Sequence, residues 1–264
     1  MRTAVIDLSY LRTHQAEHIA QELRGYRVMI TAELIYEIMT SSDQCDPSAF
    51  LGMLLGRLRG MDVVQLRCIV ELVKEEVRTG ESTADVVDYD ASQRLAKIFE
   101  QGPPSRVTVE VSQDVRDSFE HKEPSRLREA LDRMWDPEFD EIFRQVPGSQ
   151  DTSAQVRSYL ALMEQLGPSS IGSRIAAELG MSRNPGSGWL IYEWERLRNF
   201  VAFRYRLNGT LSSTIPDKSL ANNLVDLHYV ALLSHADAIA TCDCKLQKPL
   251  ALAFGQGNTV VIGC

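Results

Sequence analysis

The stretch from Thr3 to Met39 reads TAVIDLSYLRTHQAEHIAQELRGYRVMITAELIYEIM, and its alternation of short apolar runs with helical segments decides the fold class. Thr3-Ala-Val-Ile-Asp7 is an apolar run closed by an acid, the pattern of a strand buried on both faces of a parallel sheet. Ser9 opens a helical stretch with Leu11, Ile19 and Leu23 among its apolar positions, and Gly25 stops it. Arg27-Val-Met-Ile-Thr31 reads as a second strand, and Thr31 is placed to cap a helix over Ala32 to Met39. Strand, helix, strand, helix is the opening of an α/β protein with a parallel sheet.

The far end repeats this grammar. Leu220 to Ser234 carries Leu220, Leu224, Leu227 and Ala231 on one helical face. Ala238 to Thr241 reads as a buried strand and Lys245 to Phe254 as a helix with Pro249 inside it. Gly255 and Gly257 make a turn, and Thr259 to Ile262 forms a last strand. Residues 1–40 and 219–264 are thus expected to form an α/β core, with residues 41–218 a mainly helical insertion between them. Leu51 to Val77, Leu127 to Phe143 and Val156 to Leu166 have helical spacing. Pro103-Pro104, Pro147-Gly148, Pro168 and Pro185-Gly186 punctuate them, and Arg106 to Val111 is read as one strand.

Composition sets wide limits. The 264 residues are 44% hydrophobic and 24% charged, an ordinary globular balance for one elaborated domain or a domain with a large insertion. A formal net charge of -8 argues against a protein that simply coats nucleic acid, although a basic groove can be local. The five cysteines lack the paired spacing of a zinc site and are expected to be ordinary reduced thiols. No basic segment followed by a long apolar run opens the chain, and no stretch is apolar enough to cross a bilayer, so a cytoplasmic protein without a membrane is expected.

Four acids stand where strands end or on neighbouring helices. Asp7 closes the first strand, Asp243 follows Ala238–Thr241, Asp226 lies on the helix before that strand, and Glu37 lies on the helix after the second strand. The carboxyl ends of strands in an open parallel sheet form the rim on which sites are built. Carboxylates gathered there repel one another unless a cation neutralises them, and Mg²⁺ takes such oxygen ligands. One such ion, or two about 3.5–4 Å apart, can activate water and steady the leaving oxygen of a phosphodiester. Each acid alone has a plainer reading, as a helix cap for Asp7, a solvated helix acid for Glu37 or Asp226, and a turn residue for Asp243. Glu33, one turn before Glu37, is an alternative second acid, with Glu37 preferred. Asp237, between helix and strand, is read as structural.

The two ends resemble PIN domains, through Val5-Ile-Asp7-Leu-Ser9, an acid on the second helix, and Asp226-Leu-His-Tyr-Val-Ala231-Leu-Leu-Ser-His-Ala236-Asp237-Ala-Ile239-Ala-Thr241-Cys-Asp243. The resemblance covers about a third of the chain, and the insertion is much larger than the helical segment of small PIN toxins. It implies a Mg²⁺- or Mn²⁺-dependent ribonuclease with Asp7, Glu37, Asp226 and Asp243 as metal-binding and catalytic groups, RNA as substrate, and an antitoxin, another protein partner or a homodimer among the assemblies to consider. Two other readings stay open: a DNA or flap-structure nuclease on a related sheet, and a catalytically inert module that binds RNA or a partner. A phosphatase of the haloacid-dehalogenase type needs a second Asp where position 9 is Ser, and is set aside.

Secondary positions follow. Ser9 and Thr241 are placed to orient a ligating carboxylate or to cap. Lys245 is placed to touch a phosphate. Arg196, Arg198, Arg204 and Arg206 alternate with aromatics between Trp189 and Leu207, a mix that suits single-stranded nucleic acid, although the aromatics also fit helix-core spacing. Arg204 and Arg206 are the expected substrate contacts. His14 and His18 stand four residues apart and can share a metal, but no third ligand is evident in sequence.

Overall fold

The computed structural model describes residues 1–40, 46–102, 104–109, 111–146, 151–255 and 259–264. Cys45, Pro103, Glu110, the Pro147-Gly148 break and Gly257 lie outside the described residues. Six strands form one sheet: β1 (Arg2–Ile6), β2 (Tyr26–Ile30), β3 (Val63–Leu66), β4 (Val87–Asp88), β5 (Ala238–Ala240) and β6 (Val260–Ile262). Their spatial order is β4-β3-β2-β1-β5-β6, and every pair is parallel except β3 with β4. Ala4 lies opposite Val28 on one side and Ala238 on the other. The central strands carry unbroken apolar runs because helices cover both faces: Ala4, Val5, Ile6, Val28, Ile30 and Ala238 to Ala240 have no exposed surface.

Chain order and spatial order part company beside β1. From β1 the chain steps outward through β2 and β3, and later returns to place β5 and β6 on β1's other edge. Such a reversal splays the loops at the carboxyl ends of the two strands and leaves a crevice between them. Asp7 directly follows β1 and the Thr241–Asp243 segment directly follows β5, so the sequence-predicted acids stand on both lips of that crevice.

The helices are α1 (Leu8–Thr13), α2 (Ala16–Glu22), α3 (Ala32–Thr40), α4 (Pro47–Gly56), α5 (Ile69–Thr79) and α6 (Tyr89–Glu100) in the first part. Then come α7 (Gln113–Asp117), which runs through a π-helical turn into α8 (Glu123–Met134), and α9 (Pro137–Gln145), α10 (Thr152–Leu166), α11 (Pro168–Leu179), α12 (Leu190–Leu207), α13 (Asp217–Ala231) and α14 (Gln247–Phe254). No helix among the described residues is long and apolar enough to cross a membrane.

Four expectations need correction. The middle of the chain contributes β3 and β4 to the sheet, so the sheet is not drawn from the two ends alone. Residues 106–109 form no strand; Val107 is buried, and its N–H reaches Ser48 O, not a sheet edge. The first helical stretch is two helices, broken at His14-Gln15. Arg57 completes the break: its guanidinium donates to the carbonyls of Leu11, Arg12 and His14, which the end of α1 leaves unpaired. The cysteines also differ from expectation, since Cys244 and Cys264 form a disulfide with Cα atoms 5.6 Å apart, while Cys68 and Cys242 are free.

The middle region packs around α12, in which Leu197, Phe200 and Phe203 are fully buried. Trp189, at the N-terminus of α12, caps no N–H with its side chain. Glu76 of α5 takes that role from a distance, accepting the N–H groups of Leu190 at 3.0 Å, Ile191 at 2.8 Å and Thr83 at 3.0 Å. Further along, Arg198 pairs with Glu123 and Glu195, and Trp194 Nε1 donates to Glu123 at 2.9 Å. Charges this deep persist because they are paired and hydrogen-bonded.

Candidate functional site

Asp7 begins the site. It is 1% exposed, and its Oδ1 caps α1 by accepting Tyr10 N–H at 2.8 Å. Its carboxylate also accepts Thr241 Oγ1 at 2.6 Å and Ser9 Oγ at 2.8 and 2.9 Å. Asp7 thus caps α1, and this is compatible with a place in a site, because one oxygen can cap while the group faces the crevice. Ser9 Oγ also accepts Cys242 N–H at 2.9 Å, and Thr241 Oγ1 accepts Asp243 N–H at 2.9 Å. These two hydroxyls thus stitch the lip after β1 to the lip after β5 and hold the Asp7 carboxylate between them.

Asp243 is held by the chain that follows it. Its Oδ1 accepts the N–H groups of Lys245 at 3.1 Å and Leu246 at 2.9 Å, an Asx-type turn that aims the carboxylate back over the sheet. Glu37 comes from α3 and accepts Tyr229 Oη at 3.2 Å; Asp226 comes from α13, three residues before that tyrosine. Thr31 caps α3 by accepting Leu34 N–H at 3.0 Å, and its hydroxyl meets the buried His228 Nε2 at 2.9 Å, which ties α3 to α13.

The four carboxylates line one cavity of about 120 Å³, together with Ser9, Arg12 and Gln247. The cavity adjoins a groove of about 630 Å³ that shares Arg12, Glu37 and Asp226 and extends along Asn222 and Lys218. Proximity is visible in the protonation behaviour. Burial, then the charges of Glu37, Asp243 and Asp7, push the Asp226 carboxyl up to about 7. Burial raises Glu37 to about 6 against the Tyr229 hydrogen bond and the Arg12 charge, and burial raises Asp7 despite the bonds from Thr241, Tyr10 and Ser9. Such crowding disfavours the ionised forms unless a cation enters.

Among the lining side chains Arg12 is the only basic one. Gln247 is buried, and its Oε1 has no hydrogen-bond partner. Four carboxylates and one amide oxygen could offer a hard cation oxygen donors. No three of the four carboxylates place oxygens within 4.8 Å of one another, a condition that among the described residues only His14, His18 and Glu22 meet. An ion shared by all four would therefore be met partly through water.

The remaining sequence candidates divide. Glu33 does not reach the cavity: it is fully buried, accepts Ile69 N–H at 2.6 Å and so caps α5, whose Cys68 N-cap offers no side-chain bond. Asp237 is structural as read, accepting Thr3 N–H at 2.7 Å and Thr3 Oγ1 at 3.0 Å to join the starts of β1 and β5. The structure does not bring Arg206 to the site. It pairs with Asp140 at 2.7 Å, stacks 3.5 Å over Trp135, and lines a separate cavity with Phe143. Arg204 donates to Gln155 Oε1 at 3.1 Å and feels the charge of Asp243 without lining the cavity. Arg196 and Arg198 are engaged with Glu193 and Glu123. Lys245 is exposed beside the rim. Arg12 and Gln247 were missed in sequence; their only local signals are spacings of five residues from Asp7 and four from Asp243. Comparison of the chain with protein-family models, with curated proteins and with solved structures finds no match.

Proposed function

We propose that the protein is a Mg²⁺- or Mn²⁺-dependent endoribonuclease of the PIN type. The observation that carries this reading is the convergence of Asp7, Glu37, Asp226 and Asp243, from four separate segments, on one small cavity at the carboxyl ends of β1 and β5. The resemblance of the chain ends to PIN domains supplies the substrate class. The four carboxylates would hold the ion, with Gln247 Oε1 within the same lining. When bound, the metal contributes Lewis acidity at the phosphodiester and activates water.

The chain's own residues do the positioning. Thr241 and Ser9 hold the Asp7 carboxylate at a fixed angle, and the Lys245 and Leu246 N–H groups hold Asp243. Such prearranged dipoles need little rearrangement as charge develops on the reacting phosphate. Arg12, shared by cavity and groove, is the cation best placed to meet a phosphate, and the adjoining groove gives the strand a path. The test is incubation with single-stranded RNA, single-stranded DNA and flap DNA under Mg²⁺, Mn²⁺ and EDTA. The expected result is RNA cleavage that EDTA abolishes and that Asp7→Asn and Asp243→Asn remove. Cleavage of DNA alone would replace the substrate class, and RNA binding without cleavage in any metal would favour the inert module.

A further inference from the structure

On the other flank of the β5 lip stands a second group of ligand-type side chains, chemically unlike the first. His14 ends α1, and His18 and Glu22 follow on α2, each four residues apart. One ligand atom from each of the three lies within 4.8 Å of the others. His18 Nε2 is 3.2 Å from Glu22 Oε2, and the His14 and His18 rings stack with centroids 4.3 Å apart. Glu22 is the third ligand that the sequence did not disclose: the break at His14-Gln15 leaves His14 just outside α2, where it can share a face with residues one and two turns on.

Two further contacts make this more than a surface cluster. Cys242, a free thiol, places Sγ 3.3 Å from His14 Nε2. The buried Tyr10 donates its hydroxyl to Glu22 Oε2 at 2.7 Å, fixing the carboxylate as groups behind metal ligands do. A tetrahedral zinc ion with bonds of about 2.0–2.3 Å holds its ligand atoms roughly 3.3–3.8 Å apart. The 3.2 Å and 3.3 Å separations are close to that edge length, although Cys242 Sγ meets only His14 and stands outside the group in which His14, His18 and Glu22 lie within 4.8 Å of one another.

We propose that His14, His18 and Glu22 form a Zn²⁺ site distinct from the carboxylate cavity, and that the Cys242 thiol, beside His14, turns about its Cα–Cβ bond to complete it as fourth ligand. Imidazole and thiolate select zinc and other late first-row ions, whereas the all-oxygen cavity selects Mg²⁺ or Mn²⁺. The site joins the α1–α2 junction to residue 242, whose neighbours Thr241 and Asp243 belong to the carboxylate site. Zinc there is a brace that holds the β5 lip against α1, and Cys242 loses its proton on binding.

The test is titration of the full chain with Zn²⁺ against a chromophoric chelator, followed by Co²⁺ substitution. One Zn²⁺ per chain is expected; His14→Ala or His18→Ala should weaken it by more than about 100-fold, beyond what loss of an orienting group causes. Asp7→Asn combined with Asp226→Asn should leave zinc affinity unchanged, which separates this site from the carboxylate site. His18 and Glu22 are 47% and 31% exposed, so truncating His18 should not impair folding. Co²⁺ should give the intense visible bands of four-coordination and a thiolate charge-transfer band that Cys242→Ser removes. Zinc affinity that survives both His variants, or is lost in the double Asp variant, would overturn the proposal.

Discussion

At about pH 8 and without metal, Asp226→Asn is expected to stabilise the fold while abolishing cleavage. Burial and the charges of Glu37, Asp243 and Asp7 raise the Asp226 carboxyl from 3.8 to about 7. Because the folded-state value lies above the unfolded one, the native state holds this proton more tightly. Stability from this group is therefore fully present below about pH 3.8 and is lost as the pH rises through about 7. The difference of about three pH units corresponds to roughly 4 kcal/mol as a ceiling, since each is worth about 1.4 kcal/mol. Water and mobile cations relieve part of it, so roughly 2 kcal/mol is a fair expectation for a partly exposed group. At about 2–4 °C per kcal/mol for a chain of this size, Tm should rise by roughly 4–8 °C. Differential scanning fluorimetry at about pH 5 and pH 8 reads it directly, with the gain shrinking at the lower pH. Millimolar Mg²⁺ should raise the wild-type Tm by binding the native state alone and hardly move the variant. A variant less stable than wild type at pH 8, together with a wild-type Tm indifferent to Mg²⁺, would refute the reasoning.

Glu37→Gln should eliminate cleavage and Glu33→Gln should spare it, since only Glu37 lines the cavity. Glu33 is raised from 4.5 to about 6 by burial, so wild type should lose about 2 kcal/mol as the pH climbs through that window, and Glu33→Gln, measured by urea denaturation, should lose the dependence. Glu76→Ala strands the N–H groups of Thr83, Leu190 and Ile191 and should destabilise by about 3 kcal/mol or more in the same assay; a change under about 1 kcal/mol would mean water replaces the carboxylate. Arg12→Ala should raise KM for RNA and flatten the salt dependence of binding, whereas Arg206→Ala should lower Tm with RNA binding intact; the reverse pattern would move the groove to the α9–α12 side.

The parts of the fold legible in sequence are those whose burial is continuous. β1, β2 and β5 appear within about a residue of their expected ends because strands covered on both faces need unbroken apolar runs, and the half-exposed edge strand β6 is set off by the glycines before it. β3 escaped because Val63–Leu66 lies between two apolar helices and its residues are only partly buried before Leu66, so its period dissolves into theirs. Gly60, at φ 83°, was the available punctuation. Residues 106–109 show the converse: alternation favours a strand, but Val107 N–H is taken by Ser48 O beside α4 and not by a strand. Glu33 and Glu37 share a helix face, and only the position of α5 separates a cap from a site acid. Arg12, Gln247 and Glu22 were illegible for a related reason. Their roles depend on where α13, the β5 lip and the α1–α2 break fall in space, and no local pattern encodes that.

The cavity between β1 and β5 is proposed as a divalent-cation site, and every catalytic prediction depends on it. Anomalous scattering from a crystal soaked in Mn²⁺ tests it without reference to any substrate. The expected result is a Mn²⁺ peak among Asp7, Glu37, Asp226 and Asp243 that disappears in Asp226→Asn. A map with no peak in that cavity, or with Mn²⁺ only at His14, His18 and Glu22, would contradict it.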